Sequence, residues 1–305
     1  MEMEEFYYPS KGEGQIHACR WIPEGPIRAV VQIVHGVSEY VERYDEFARF
    51  LNERGFAVVG EDHMGHGKSV GEDGTLGYFA GGWEAAVADT HTLYETTREE
   101  FEKIPYFLAG HSMGSFMVRT FLFRYPNSGI RGAILMGTAW QNRAVLEAGK
   151  ALTETLIRVQ GDRAVSEKVQ SVIFGAYNKY FSEGGFSWMT KNQVVLQRYE
   201  NDPLCGFPLT NGLARDIIDG MRMNQNRRNL DAMIKTLPVL FASGEEDPVG
   251  NMGEGVRQTY EAFQSVGMLN VKMKLYPGMR HEILNEEGHE AVQEELLAWM
   301  LEQLY

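Results

Sequence analysis

Two cysteines, Cys19 and Cys205, are all that 305 residues contain, and neither sits in a Cys-x-x-Cys pair. A disulfide framework is therefore excluded as a source of stability, and both read as free thiols of a reducing compartment. No apolar run reaches the ~20 residues of a membrane span. Residues 1–10 have neither the basic start nor the apolar stretch of a secretory signal. Cytoplasmic residence without an integral membrane segment is the expectation. Positive charge is also scarce: 29 Lys and Arg against 42 Asp and Glu leave a formal net charge of −13. With no Lys/Arg block long enough to track phosphates, nucleic acid and anionic membrane surfaces are poor partners.

What the chain does have is glycine, 33 residues of it, which suits an architecture with many tight strand-to-helix turns. Short, nearly continuous apolar runs occur at 29–34, 56–60, 106–109, 132–136, 239–243 and 271–276. Such runs fit strands covered on both faces. Helical patterns follow at 44–53, 83–102 and 115–125, and a closing helix is expected over 287–304. This alternation predicts an α/β fold: a mostly parallel sheet with crossover helices on both faces.

The rhythm stops at residues 138–209, a stretch too long and too patterned for a structureless loop. Val165, Val169, Val172, Ile173, Ala176, Tyr177 and Tyr180 recur at helical spacing, and residues 146–157 form a second amphipathic pattern. A helical cap inserted into a core made of 1–137 and 210–305 is the expectation. Most of its apolar positions should pack on one another and a minority should line an acyl pocket.

Residues 107–114 read Phe-Leu-Ala-Gly-His-Ser-Met-Gly, a strand end running into Gly-x-Ser-x-Gly with Ser112 at its centre. In a sharp strand-to-helix turn this pattern lifts the serine hydroxyl above the sheet edge, with Gly110 and Gly114 leaving room for neighbouring backbone. It is the nucleophile elbow of α/β-hydrolases. A serine nucleophile needs a base and a carboxylate to orient that base, in the chain order Ser, acid, His. Acids Glu245, Glu246 and Asp247 follow the strand at 239–243, and His281 follows the strand at 271–276. His289 falls in the closing helix, and His17, His91 and His111 match no catalytic pattern. His63 and His66 lie near Asp62 on a glycine-rich turn rather than at metal-ligand spacing, so neither metal nor cofactor is expected. The developing oxyanion needs two backbone N–H donors: Met113, after the nucleophile, and Val37, in the loop after an early strand.

The chain resembles the monoacylglycerol lipase and lysophospholipase group of serine α/β-hydrolases. The resemblance rests on segments 35–40 with Arg43 and Tyr44, 61–69, 110–114, 201–204, 243–249 and 277–284. It selects Asp247 among the three acids, through its Asp-Pro-Val context, and it implies that residues 62–69 are scaffolding beside the site. The implied activity is carboxylester hydrolysis of monoacylglycerol- or lysophospholipid-like esters through an acyl-enzyme. The partner is then a small ester or lipid, with transient membrane contact through the cap. The alternative on the same triad is an amide or peptide hydrolase of aminopeptidase type, with Glu147, Glu154 or Glu183 available to bind an α-amine. An aspartate in place of Ser112 would mark dehalogenase or epoxide hydrolase chemistry; the serine sets both aside.

Overall fold

The computed structural model describes residues 3–71, 73–173 and 177–305. Its first part contains β1 (Met3–Pro9), β2 (Gln15–Trp21), β3 (Ala29–Val34), α1 (Asp45–Asn52), β4 (Phe56–Glu61), α2 (Gly82–Glu100), β5 (Tyr106–His111), α3 (Met113–Arg124) and β6 (Gly132–Met136). Five helices come next: α4 (Arg143–Gln160), α5 (Glu167–Ile173), α6 (Gln193–Asn201), α7 (Asn211–Asn224) and α8 (Arg227–Ala232). The chain then returns to the sheet with β7 (Val239–Gly244), α9 (Glu254–Ser265), β8 (Val271–Tyr276) and α10 (His289–Glu302).

The eight strands form one sheet in the order β1-β2-β4-β3-β5-β6-β7-β8. Strands β3 to β8 pair in parallel, while β1 and β2 pair antiparallel with each other and β2 antiparallel with β4. Every residue of β3, β4, β5, β6 and β7 is buried. That explains their continuous apolar sequences, since both faces need cover. On one face Phe47 and Leu51 of α1 join Leu296 and Met300 of α10. On the other, Val87 and Leu93 of α2 pack with Met117 and Phe121 of α3 and Phe263 of α9. This is the architecture of the α/β-hydrolase fold.

Two features depart from the reading of the sequence. The antiparallel edge β1–β2 was not foreseen. In β1 only Tyr8 is buried, so its sequence carries little apolar signal. The periodicity over 165–180 also falls on more than one kind of element among the described residues: an isolated β-bridge at Val165, α5, and a 3-10 turn at Tyr177–Tyr180. Ala176 lies outside the described residues, and so do the side chains of Val172 and Ile173. Among the described residues no helix is long and apolar enough to cross a membrane.

Candidate active site

Ser112 is the N-cap of α3 and has φ 53° and ψ −121°, a conformation rarely adopted by a residue with a side chain. The turn is held from several sides. Ser112 N–H donates to the carbonyl of Met136 on β6 (2.9 Å), and its own carbonyl accepts from Ser115 N–H (2.9 Å) and from Ser115 Oγ (2.6 Å). A Cβ at Gly114 would overlap the carbonyl of Val34, and one at Gly110 would press on the carbonyl of Gly114. The two glycines of the pentapeptide thus let α3 start against the ends of β3 and β5. Met113 is the first residue of α3, where an N–H has no intrahelical acceptor.

Asp247 follows β7 and is fully buried. Its Oδ2 lies 2.9 Å from His281 Nδ1 and accepts from Ser243 Oγ (3.2 Å), while its Oδ1 accepts from Val249 N–H (2.8 Å). With three partners the carboxylate is fixed in direction, and it fixes the imidazole in turn. The ring of His281 packs against Trp188 at 5.3 Å and His111 at 4.6 Å between centroids. Below it sits Gly137, with φ 57°, where a Cβ would come within 2.7 Å of His281 Cε1.

Ser112 and Val37 are walls shared by two cavities, each of about 240 Å³. The first is also lined by His281, Glu39, Arg43, His111 and Glu282. The second is apolar, lined by Met113, Phe116, Leu146, Ile217, Ile218 and Met221 among others. The structure therefore brings Ser112, His281, Val37 and Met113 to one place, with Asp247 behind His281. Of the residues weighed as alternatives, Glu246 pairs with Lys191 (2.9 Å), and His289 starts α10 beside Glu46 (2.6 Å). His63 stacks on His35 (3.9 Å) within a buried group that includes His66. Segment 62–69 is bound up in scaffolding contacts: Asp62 accepts from Val41 N–H and Lys68 N–H, both at 2.8 Å.

One part of the site was not read from the sequence. Glu39, Arg43, His111 and Glu282 form a buried ionic group in the wall of the cavity that holds His281. Arg43 donates to both oxygens of Glu282 (2.8 and 2.9 Å) and to Glu39 (2.6 Å). Glu39 also accepts from Gly36 N–H (2.6 Å) and Tyr44 OH (2.9 Å), and lies 3.2 Å from His111 Nδ1. Burial alone would raise the Glu39 pKa, but Arg43 and His111 hold it well below the usual carboxylate range. Burial likewise disfavours a charged His111, and contact with Glu39 outweighs it and moves the ring upward. His111 Nε2 is 3.2 Å from the backbone carbonyl of His281, which links this group to His281. The available signal was the i,i+4 spacing of Glu39 and Arg43 after His35-Gly36.

The chain is similar to several known proteins. The family model described as serine aminopeptidase, S33, matches residues 25–288. A monoacylglycerol lipase of Mycolicibacterium smegmatis is 27% identical over 93% of this chain and 92% of its own length. The mouse monoglyceride lipase is 27% identical over 94% of this chain and 88% of its own. A thermostable carboxyl esterase from Bacillus coagulans, solved with glycerol, superposes with a TM-score of 0.92 at 27% identity over the whole of both chains. The chain therefore belongs to the serine aminopeptidase S33 family and is a serine hydrolase of the α/β-hydrolase fold.

Proposed function

We propose that this protein is a carboxylester hydrolase that works through an acyl-enzyme on Ser112, with monoacylglycerol-like esters as its substrates. The observation that carries the reading is the position of Ser112 in the wall shared by two cavities, one that holds His281 and the buried Glu39–Arg43–Glu282 group and one lined by Met113, Phe116 and Ile217. In this reading Ser112 Oγ attacks the ester carbonyl and His281 Nε2 takes its proton, while Asp247 on Nδ1 stabilises the imidazolium. The N–H groups of Met113 and Val37 receive the oxyanion, each worth about 3 to 4 kcal/mol to the barrier. His281 then protonates the departing alcohol and directs water at the acyl-serine.

The acyl chain belongs in the cavity lined by Met113, Phe116 and Ile217, and the alcohol in the one that holds His281, Glu39 and Arg43. Its volume of about 240 Å³ lies below the ~300–1,000 Å³ usual for small-molecule pockets, which favours short and medium acyl chains. Glu39, Arg43 and Glu282 beside the alcohol position present acceptors and a donor to an alcohol that carries hydroxyl groups, as glycerol does. The names of the curated relatives, monoacylglycerol and monoglyceride lipases, point the same way.

Residues 138–209 act as the cap in this account. Trp188, Gly206 and Phe207 close over Ser112, and the insertion is tied down by Ser38 Oγ to the carbonyl of Phe207 (2.7 Å) and Tyr40 OH to Asp202 (2.7 Å). Val145, Val159 and Val194 are exposed on it and offer transient contact with a lipid surface. Cytoplasmic residence goes with the reading, supported by two buried free thiols.

The family description raises a second reading, hydrolysis next to an α-amine, which requires an uncommitted acid at the site. Glu147 pairs with Arg222 (3.0 Å), Glu154 with Lys150 (3.9 Å) and Glu183 with Arg280 (3.1 Å). Glu39 and Glu282 are both engaged by Arg43. Side-by-side kinetics on monoacylglycerols, p-nitrophenyl esters and aminoacyl anilides separate the readings. Higher kcat/KM on esters, peaking at medium acyl length, is expected; a preference for anilides with a free α-amine would reverse the assignment.

A further inference from the structure

The antiparallel edge of the sheet gathers side chains that ester chemistry does not use. Glu5 on β1 stands opposite Cys19 on β2, and His17 opposite Tyr7 two residues along, so Glu5, His17 and Cys19 project from the same face. Next to them Cys19 pairs with Gly60 of β4, which has no side chain to fill that face. The 3-10 turn Val41–Tyr44 closes over it and brings in Glu42.

Ligand-capable atoms of His17, Cys19 and Glu42 all lie within 4.8 Å of one another. Cys19 Sγ is 3.8 Å from His17 Nε2, and Glu5 Oε2 is 2.9 Å from the same nitrogen. Bond lengths of ~2.0–2.2 Å to nitrogen and oxygen and ~2.3 Å to sulfur place the ligand atoms of a tetrahedral zinc roughly 3.3 to 3.6 Å apart. Cys19 Sγ and Glu5 Oε2 are thus within about half an ångström of that spacing from His17 Nε2, and Glu42 needs a side-chain shift of up to about 1.5 Å to join them. The other imidazole nitrogen, Nδ1, is 2.8 Å from Asp62 Oδ2. A carboxylate at that position sets the tautomer and ring direction of a metal-bound histidine.

A cation already stands between the two glutamates. Lys68 Nζ donates to Glu5 Oε2 and to Glu42 Oε1, each at 2.7 Å. His17 and Cys19 are fully buried, whereas Lys68 and Glu5 are each 39% exposed, so the ammonium can swing into water and leave its carboxylates in place. We propose that His17, Cys19, Glu5 and Glu42 form a structural site for a zinc-class divalent cation, which takes the place of the Lys68 ammonium and pins the β1–β2 edge to the Val41–Tyr44 turn. A thiolate and an imidazole among the donors select zinc over magnesium or calcium.

Cobalt(II) titration of the intact protein tests this, because a cobalt–thiolate bond gives a charge-transfer band in the near ultraviolet. The expected result is one equivalent of cobalt producing the band, displacement of that cobalt by zinc, and retention of the band in Cys205→Ser. Cys19→Ser should lose it. Glu42→Gln changes only a partly exposed ligand, so it tests the site if the cysteine variant fails to fold; it should weaken binding at least about tenfold. Lys68→Met should tighten binding about fivefold or more, since two partly exposed ion pairs no longer compete. No band at saturating cobalt, a band surviving Cys19→Ser, or affinity unchanged by both Glu42→Gln and Lys68→Met would overturn the proposal. His17 would then be a charged bridge between Asp62 and Glu5.

Discussion

Gly137 shows how closely single residues are matched around His281. Its φ of 57° and the 2.7 Å approach of a hypothetical Cβ to His281 leave no room for alanine. Gly137→Ala should push the imidazole off Asp247 and lower kcat on a p-nitrophenyl ester more than it raises KM. Asp247→Asn should lower kcat by about 10⁴-fold through the wrong tautomer of His281. The backbone at Ser112 stores strain of about 1–3 kcal/mol, which glycine would relieve. Ser112→Gly should therefore be inactive yet unfold at higher urea than Ser112→Ala. Arg43 is the counterion of two buried carboxylates, and Arg43→Met should cost about 3–5 kcal/mol in urea unfolding because Glu39 and Glu282 lose their partner together.

At the level of elements, α7 contributes to both chemistry and stability. Ile217 lines the apolar cavity, and Ile217→Trp should cut kcat/KM for decanoyl relative to butyryl esters by about tenfold or more. Asp216, on the same helix, is buried near Gly82 at the start of α2, and its Oδ2 has no hydrogen-bond partner among the described residues. Burial outweighs the nearby Arg215 and raises its pKa from 3.8 to about 6. The folded protein then binds more protons than the unfolded chain between about pH 4 and 6, so this group makes stability fall as pH rises across that window. Asp216→Asn removes the dependence. Its stability relative to the wild type should climb from about pH 4 to 6 and stay level above, as read by melting temperature at each pH.

The elements that could be read in the sequence are those whose burial is uniform. Strands β3 to β7 are buried throughout and mainly apolar because helices cover both faces, and their positions were legible to within two residues. β1 and β2 were not, since register with a neighbour rather than a hydrophobic run defines that edge. Chain order and strand ends singled out Ser112 and His281, and local resemblance singled out Asp247; in the structure Asp247 Oδ2 lies 2.9 Å from His281 Nδ1, and Ser112 and His281 line one cavity. Glu39, Arg43, His111 and Glu282 were not, because their meeting joins segments up to 243 residues apart, and only the sheet order puts them together.

Over the whole molecule, the net charge of −13 bears on how a lipid substrate is reached. At low salt the protein should co-sediment less with anionic than with zwitterionic vesicles, and the gap should close as salt screens the repulsion. The proposal rests on one serine, placed where two cavities meet, performing ester hydrolysis. It is tested most directly by steady-state turnover of a medium-chain monoacylglycerol by the purified wild type and Ser112→Ala. The account predicts robust hydrolysis by the wild type and a loss of at least about 10⁴-fold in kcat for the variant. A folded Ser112→Ala protein that turns over the ester at a comparable rate would contradict it.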